Sequence, residues 1–177
     1  LREDPLFATH VGDRRYDDRL PSVTPADFER RAAYAREVLA RLARVERGAL
    51  SSADQVNREM FERTTRDELT ELEFRTWRMP LNAEGSFHSG FARLPVSGPL
   101  TTTKDYENYL ARLRAFPLYA RQQIENMREG LRTGFVQPKV ILQGFEGTIT
   151  VHLVSEVEKS VFWKPFAALP TKVFDLS

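Results

Sequence analysis

Cysteine is absent from this 177-residue sequence. That excludes disulfides and thiolate-held metal, and is compatible with either cytoplasm or periplasm. Histidine is scarce: His10, His88 and His152 are the only three, each isolated, with no two inside one helical turn. An excess of either charge is missing too, since 26 basic and 25 acidic side chains leave a formal +1. Such a balance argues against a bulk electrostatic grip on nucleic acid or an anionic membrane. No apolar run approaches the roughly 20 residues needed to cross a bilayer. No signal peptide, internal repeat or low-complexity segment is visible. Nothing marks an activated serine, so no Ser-His-Asp constellation can be assembled.

What is present is ordinary globular material, 41% hydrophobic and 29% charged, long enough to bury a core as one helical region over residues 1–177. The chain starts at Leu1 without methionine and ends on VFDLS, and the expectation is an incomplete part of a larger catalytic domain. Thr24-Pro25 is a helix start, a cap followed by proline in the first turn. Phe28, Ala32, Ala35, Leu39 and Leu42 continue it as a one-sided stripe towards a stop at Gly48. Ser51 or Ser52 opens a further helix that runs towards Trp77 and stops before Pro80. Its middle, REMFERTTRDELTELEFR, is dense in charge of both signs and reads as a solvated helix with intrahelical pairs.

Leu94 to Pro138 reads as an entry loop, a capped helix, a proline break and a second helix, giving an antiparallel pair. Thr102 or Thr103 caps the first, with Asp105 and Glu107 near the positive end of its dipole. Tyr106, Tyr109, Leu110 and Leu113 share one face, where core packing with the tyrosine hydroxyls bonded at the edge is the default. Pro117 starts the second helix, with Ala120, Ile124, Met127 and Leu131 as its apolar stripe. Gly134 and Pro138 end it.

Two stretches carry less pattern. Val140 to Glu158 is rich in β-branched residues, which favours strand. Met79 to Thr101 is a long irregular connection marked by Pro80, Gly85, Gly90, Pro95, Gly98 and Pro99, and loops of that length are often functional. Within it Asn82, Gly85 and His88 are the candidate substrate-binding groups: an amide, free backbone and an imidazole that can bond a peptide backbone or terminus. A structurally bonded His88 is the alternative. His10 reads as a local cap or pair and His152 as a core histidine. Asp13, Arg14, Arg15, Asp17, Asp18 and Arg19 can close an ion-pair network.

Four segments, taken together, carry a resemblance. DPLFATHVGDRRYDDRLP (Asp4 to Pro21) resembles a "P-x-x-AT-x-x-Gd-x-ryd" signature. MPLNAEGSFH (Met79 to His88) resembles a central loop. Asp105, Tyr106, Glu107, Tyr109, Leu110, Arg112 and Leu113, followed by Glu129, Gly130, Gly134 and Pro138, resemble "eDYe-x-YL-x-RL" and "eG-x-x-x-G-x-x-x-P". SVFWKPFAALP (Ser160 to Pro170) resembles "S-x-f-x-x-Pf-x-x-lP". In this order they are similar to the N-terminal part of a large family of helical, zincin-like bacterial proteins classed as a domain of unknown function.

The resemblance implies a mainly α, multi-helix fold and favours a helix from Pro138 over a strand. It also implies a zinc-dependent, metallopeptidase-like hydrolase whose metal sits on a His-Glu-x-x-His helix: two imidazoles one turn apart hold zinc and the glutamate serves as general base. That motif is absent from this sequence. The expectation is therefore a cleft-forming N-terminal portion, with zinc, the catalytic groups and the remaining C-terminal portion outside these residues and a peptide as substrate of the complete protein. The alternative is a stand-alone helical binding or scaffold module. A periplasmic or secreted location is favoured by the resemblance.

Overall fold

Helix-start chemistry organises the chain. The computed structural model describes residues 1–81, 86–98 and 100–167. Asp4 caps α1 (Pro5–His10) by accepting from the Phe7 N–H. Thr24 and Asp27 form a reciprocal capping box ahead of α2 (Pro25–Leu42), and Thr102 and Asp105 repeat it ahead of α5 (Thr103–Thr133). Ser51 caps α3 (Ser52–Phe74) and Ser86 caps α4 (Phe87–Phe91). Each of these side chains satisfies an N–H that the first turn leaves without a partner. Two short helices follow, α6 (Glu146–Thr150) and α7 (Lys164–Ala167). The described residues hold no β-sheet, only an isolated bridge between Leu81 and Ser86. The fold is mainly α and multi-helical.

Helices α2 and α3 pack against each other, with the small Ala32 and Ala35 buried on α2 and Thr65 the one buried residue of α3. The rest of α3 is solvated and laced by i,i+4 pairs, Glu62 with both Arg58 and Arg66, and Arg63 with Asp67. The core centres on α5, where Tyr109 packs with Phe91 and Leu94, ringed by Leu6, Leu113, Phe116, Phe162 and Phe166.

Four expectations are corrected. Helix α2 ends at Leu42 with Ala43 as its cap, six residues before Gly48. Pro117 starts no second helix: it lies inside the continuous 31-residue α5, and there is no antiparallel pair. A mid-helix proline costs about 3 kcal/mol, yet the segments on both sides are held independently. Tyr109 and Arg112 are buried before it and Gln123, Asn126 and Gly130 after it, while Pro117 itself is exposed.

The expected apolar stripe also fails, because Ile124 is 38% and Leu131 71% exposed. The buried face is polar instead. Asn126 Nδ2 donates to the Val23 carbonyl at 2.8 Å, and Gln122 Oε1 accepts from the Val23 N–H at 3.1 Å. Two amides thus hold both backbone groups of the residue that leads into α2, where neither would tolerate burial unpaired.

Residues 138–157 form neither one helix nor a strand. A 3-10 turn over Lys139–Leu142 gives way to α6, and Gly144, at φ +75°, separates them. A left-handed residue cannot continue a right-handed helix.

Candidate functional site

The first half of α5 collects the sequence signatures into one network. Arg112, only 5% exposed along its side chain, donates through Nε to the Arg19 carbonyl at 3.1 Å. Its Nη2 reaches the Pro5 carbonyl at 3.1 Å, Thr9 Oγ1 at 2.6 Å and the Tyr16 carbonyl at 3.3 Å. The Thr9 hydroxyl in turn donates to the buried Asp17 at 2.6 Å. Arg14 bonds Asp17 at 2.9 Å and also the Asp105 carboxylate, 91 residues away in sequence. The expected network of Asp13 to Arg19 therefore forms, with Asp13–Arg15 and Asp18–Arg19 as its outer pairs, and its inner members lock onto α5.

On the same stretch of helix, the Tyr106 hydroxyl donates to the Pro165 carbonyl at 3.2 Å and Tyr109 to Phe162 at 3.0 Å. The expected edge-bonded tyrosines thus tether the C-terminal segment. Burial pushes the Tyr109 phenol up to about 12, so it stays a donor at neutral pH.

A family model for a bacterial protein of unknown function (DUF885) matches residues 5–176. The chain belongs to the DUF885 family. Searches of curated proteins and of solved structures returned no match. In this DUF885 chain the segments of Asp4 to Pro21 and Asp105 to Leu113, and Ser160 to Ala167 of the last, meet at one hub of hydrogen bonds. The polar groups named here are aimed at backbone, at hydroxyls or at other charges of the hub.

Asp105 makes the hub sensitive to acid. Burial opposes ionisation, but the N–H groups of Thr101 and Thr102, then Arg14 and the Thr102 hydroxyl, outweigh it and hold the carboxyl well below its usual range. Asp27 behaves alike, with Ser22, Thr24 and Arg30 overcoming burial. A depressed carboxylate adds stability that is complete above its ordinary value of 3.8 and is lost as pH falls through the folded value. The melting temperature should hold level from pH 7 to about 5 and fall below about pH 4. Asp105→Asn should lower it at pH 7 and flatten the acid slope; an unchanged slope would remove Asp105 from the cause.

Of the expected substrate groups, Asn82 and Gly85 lie outside the described residues. His88 is half-buried on α4 and already engaged. Ser86 Oγ lies 2.9 Å from Nδ1, and Thr148 Oγ1 lies 2.9 Å from Nε2. Phe87 and Phe145 meet the ring edge-on. Burial, and then the charge of His152, lower its pKa, so His88 is mainly neutral at pH 7. His10 is exposed at the end of α1, 6.4 Å from Phe7, and His152 is half-buried 6.3 Å from Phe162. Among the described residues no three His, Cys, Asp or Glu side chains are grouped to hold a metal ion. The described donors therefore do not by themselves fit zinc.

Sequence reasoning missed the Arg14–Asp105 pair and the role of Arg112. Both lie in quoted motifs, but their partners are some 90 to 107 residues away, beyond the reach of any local pattern.

Proposed function

We propose that this chain is the N-terminal, cleft-forming portion of a zinc-dependent, metallopeptidase-like hydrolase whose metal-binding groups lie outside these residues. The support is the order of the resembling segments, together with one physical observation. Along residues 140–157 the chain leaves Val140 72%, Val151 68%, Leu153 76% and Val157 57% exposed. Apolar side chains concentrated in one short segment mark a surface that a further polypeptide covers. The remaining portion of the same protein is the proposed cover, and the Met79–Leu94 segment, with Asn82, Gly85 and, on α4, His88, is proposed to position a peptide substrate. For that His88 exchanges its Thr148 bond for a substrate carbonyl or carboxylate; it transfers no proton and holds no metal.

The chain alone and the protein in its complete natural form are compared by zinc content and by hydrolysis of a peptide library. The chain alone should hold no stoichiometric zinc and should self-associate, and Val151→Glu with Leu153→Glu should reduce that association. The complete protein should hold zinc and cleave peptides, more slowly after Asn82→Ala or His88→Ala with zinc content intact. A complete protein without zinc or cleavage would defeat the hydrolase reading and leave a helical binding or scaffold module. Among the described residues no helix is long and apolar enough to span a bilayer.

A further inference from the structure

A groove of about 440 Å³ lies where α2, the end of α3 and the turn after it meet, within the size range of small-molecule sites. Its apolar wall includes Leu72, Ala32, Phe28 and Trp77, the two aromatic rings stacked on each other at 4.8 Å. Most charges lining it are paired: Arg36 with Glu73 at 2.8 Å, and Arg78 with Glu129 at 3.1 Å. Two are not. Arg75 and Glu29 both line the groove, and neither side chain has an ion pair or hydrogen bond among the described residues. Arg75 helps lower the Glu129 pKa only at a distance, and Glu129 is already bonded to Arg78 and Arg132. Arg78, which also lines the groove, is 8% exposed and its Nε has no partner among the described residues.

Arg75 is also the one described non-glycine residue with positive φ, at +58°. It ends α3 in the left-handed conformation that glycine adopts without strain. Keeping a β-carbon there is unfavourable, and such residues persist where the side chain has a use.

We infer that this groove binds a zwitterionic amino acid with a bulky apolar side chain, its carboxylate on Arg75, its ammonium on Glu29 and its side chain against Leu72 and the Phe28–Trp77 pair. One unpaired charge of each sign beside an apolar wall complements such a molecule, whereas a simple anion would meet Glu29 and a simple cation Arg75. The site uses no residue of the Met79–Leu94 segment and stands apart from the hydrolase reading.

The probe is L-phenylalanine, followed through Trp77 emission in a Trp163→Phe form of this 177-residue chain, which leaves Trp77 as its single tryptophan. A saturable change should appear below about 10 mM. Phenethylamine, which lacks the carboxylate, and 3-phenylpropionate, which lacks the ammonium, should each bind at least about tenfold more weakly. Glu29→Gln and Arg75→Gly should weaken phenylalanine by a similar factor. Arg75→Gly should at the same time raise the melting temperature, because it relieves the left-handed arginine, which separates lost binding from lost folding. No saturable change, equal binding of the three probes, or full binding by both variants would overturn the inference.

Discussion

Replacing Arg112 with alanine should remove about 4 kcal/mol of folding stability, the largest loss expected from any single side chain in this molecule. The guanidinium serves the carbonyls of Pro5, Tyr16 and Arg19 and the Thr9 hydroxyl, and lies 3.7 Å from Asp17, itself 6% exposed. Truncation leaves those acceptors facing a void and removes one of two cations from a buried carboxylate. Breaking one partner of a buried pair typically costs about 3–5 kcal/mol, against a total of about 5–15 for a domain of this kind. Burial lowers the Arg112 pKa while Asp17 and Asp18 pull it back; an arginine stays charged regardless.

Lysine should recover little, since a single ammonium cannot replace a planar fork that reaches two segments at once. Urea unfolding at pH 7 reads the effect as a shift in midpoint at constant slope. In a double-mutant cycle, Asp17→Asn should cost less in the Arg112→Ala background than in the wild type. A midpoint unmoved by Arg112→Ala would mean that the hub does not hold the N-terminal segment.

Gly130→Ala should cost about 2 kcal/mol even though alanine is the better helix former by about 1. A β-carbon at position 130 would sit 2.7 Å from the Phe135 carbonyl oxygen and 3.1 Å from that of Arg78. Both are backbone atoms, which cannot rotate aside as a side-chain end would. The turn of Thr76–Arg78 packs directly on this end of α5, so relief would have to move Arg78 away from Glu129 and Thr133, its partners at 3.1 Å each. Gly134 provides the control. It caps the helix at φ +71°, and a β-carbon there would meet nothing within 4 Å. Gly134→Ala should therefore cost only about 1 kcal/mol, from conformation alone. Thermal unfolding of both variants ranks the two effects. Equal losses would show that close approach at Gly130 adds nothing to ordinary glycine conformation.

Much of the candidate site was hidden from local reading, as part of the demand at Gly130 was. The motif containing Gly130 was visible, but of the two backbone oxygens that demand a glycine there, one belongs to the nearby Phe135 and the other to Arg78 on a separate turn. His88 was singled out for its place in an irregular loop; its Thr148 partner lies 60 residues on. Arg75 left no signal at all, since its left-handed backbone lies at an ordinary-looking position after Phe74.

The helix starts were determined by the sequence itself. Thr24, Ser51 and Thr102 each bond an N–H three residues ahead, so the chemistry is complete within one turn and needs no tertiary partner. The mainly helical class, the solvated α3 and the lack of any thiolate site follow from the same local information. Only the tertiary structure decided that α5 runs through Pro117, that its later buried face is polar, and that Arg14 and Arg112 tie the N-terminal segment to α5. Each of these sets a local penalty — a lost N–H bond, a buried amide, a desolvated charge — against partners tens of residues away. A penalty is written where the residue stands, but its compensation exists only once the chain has folded.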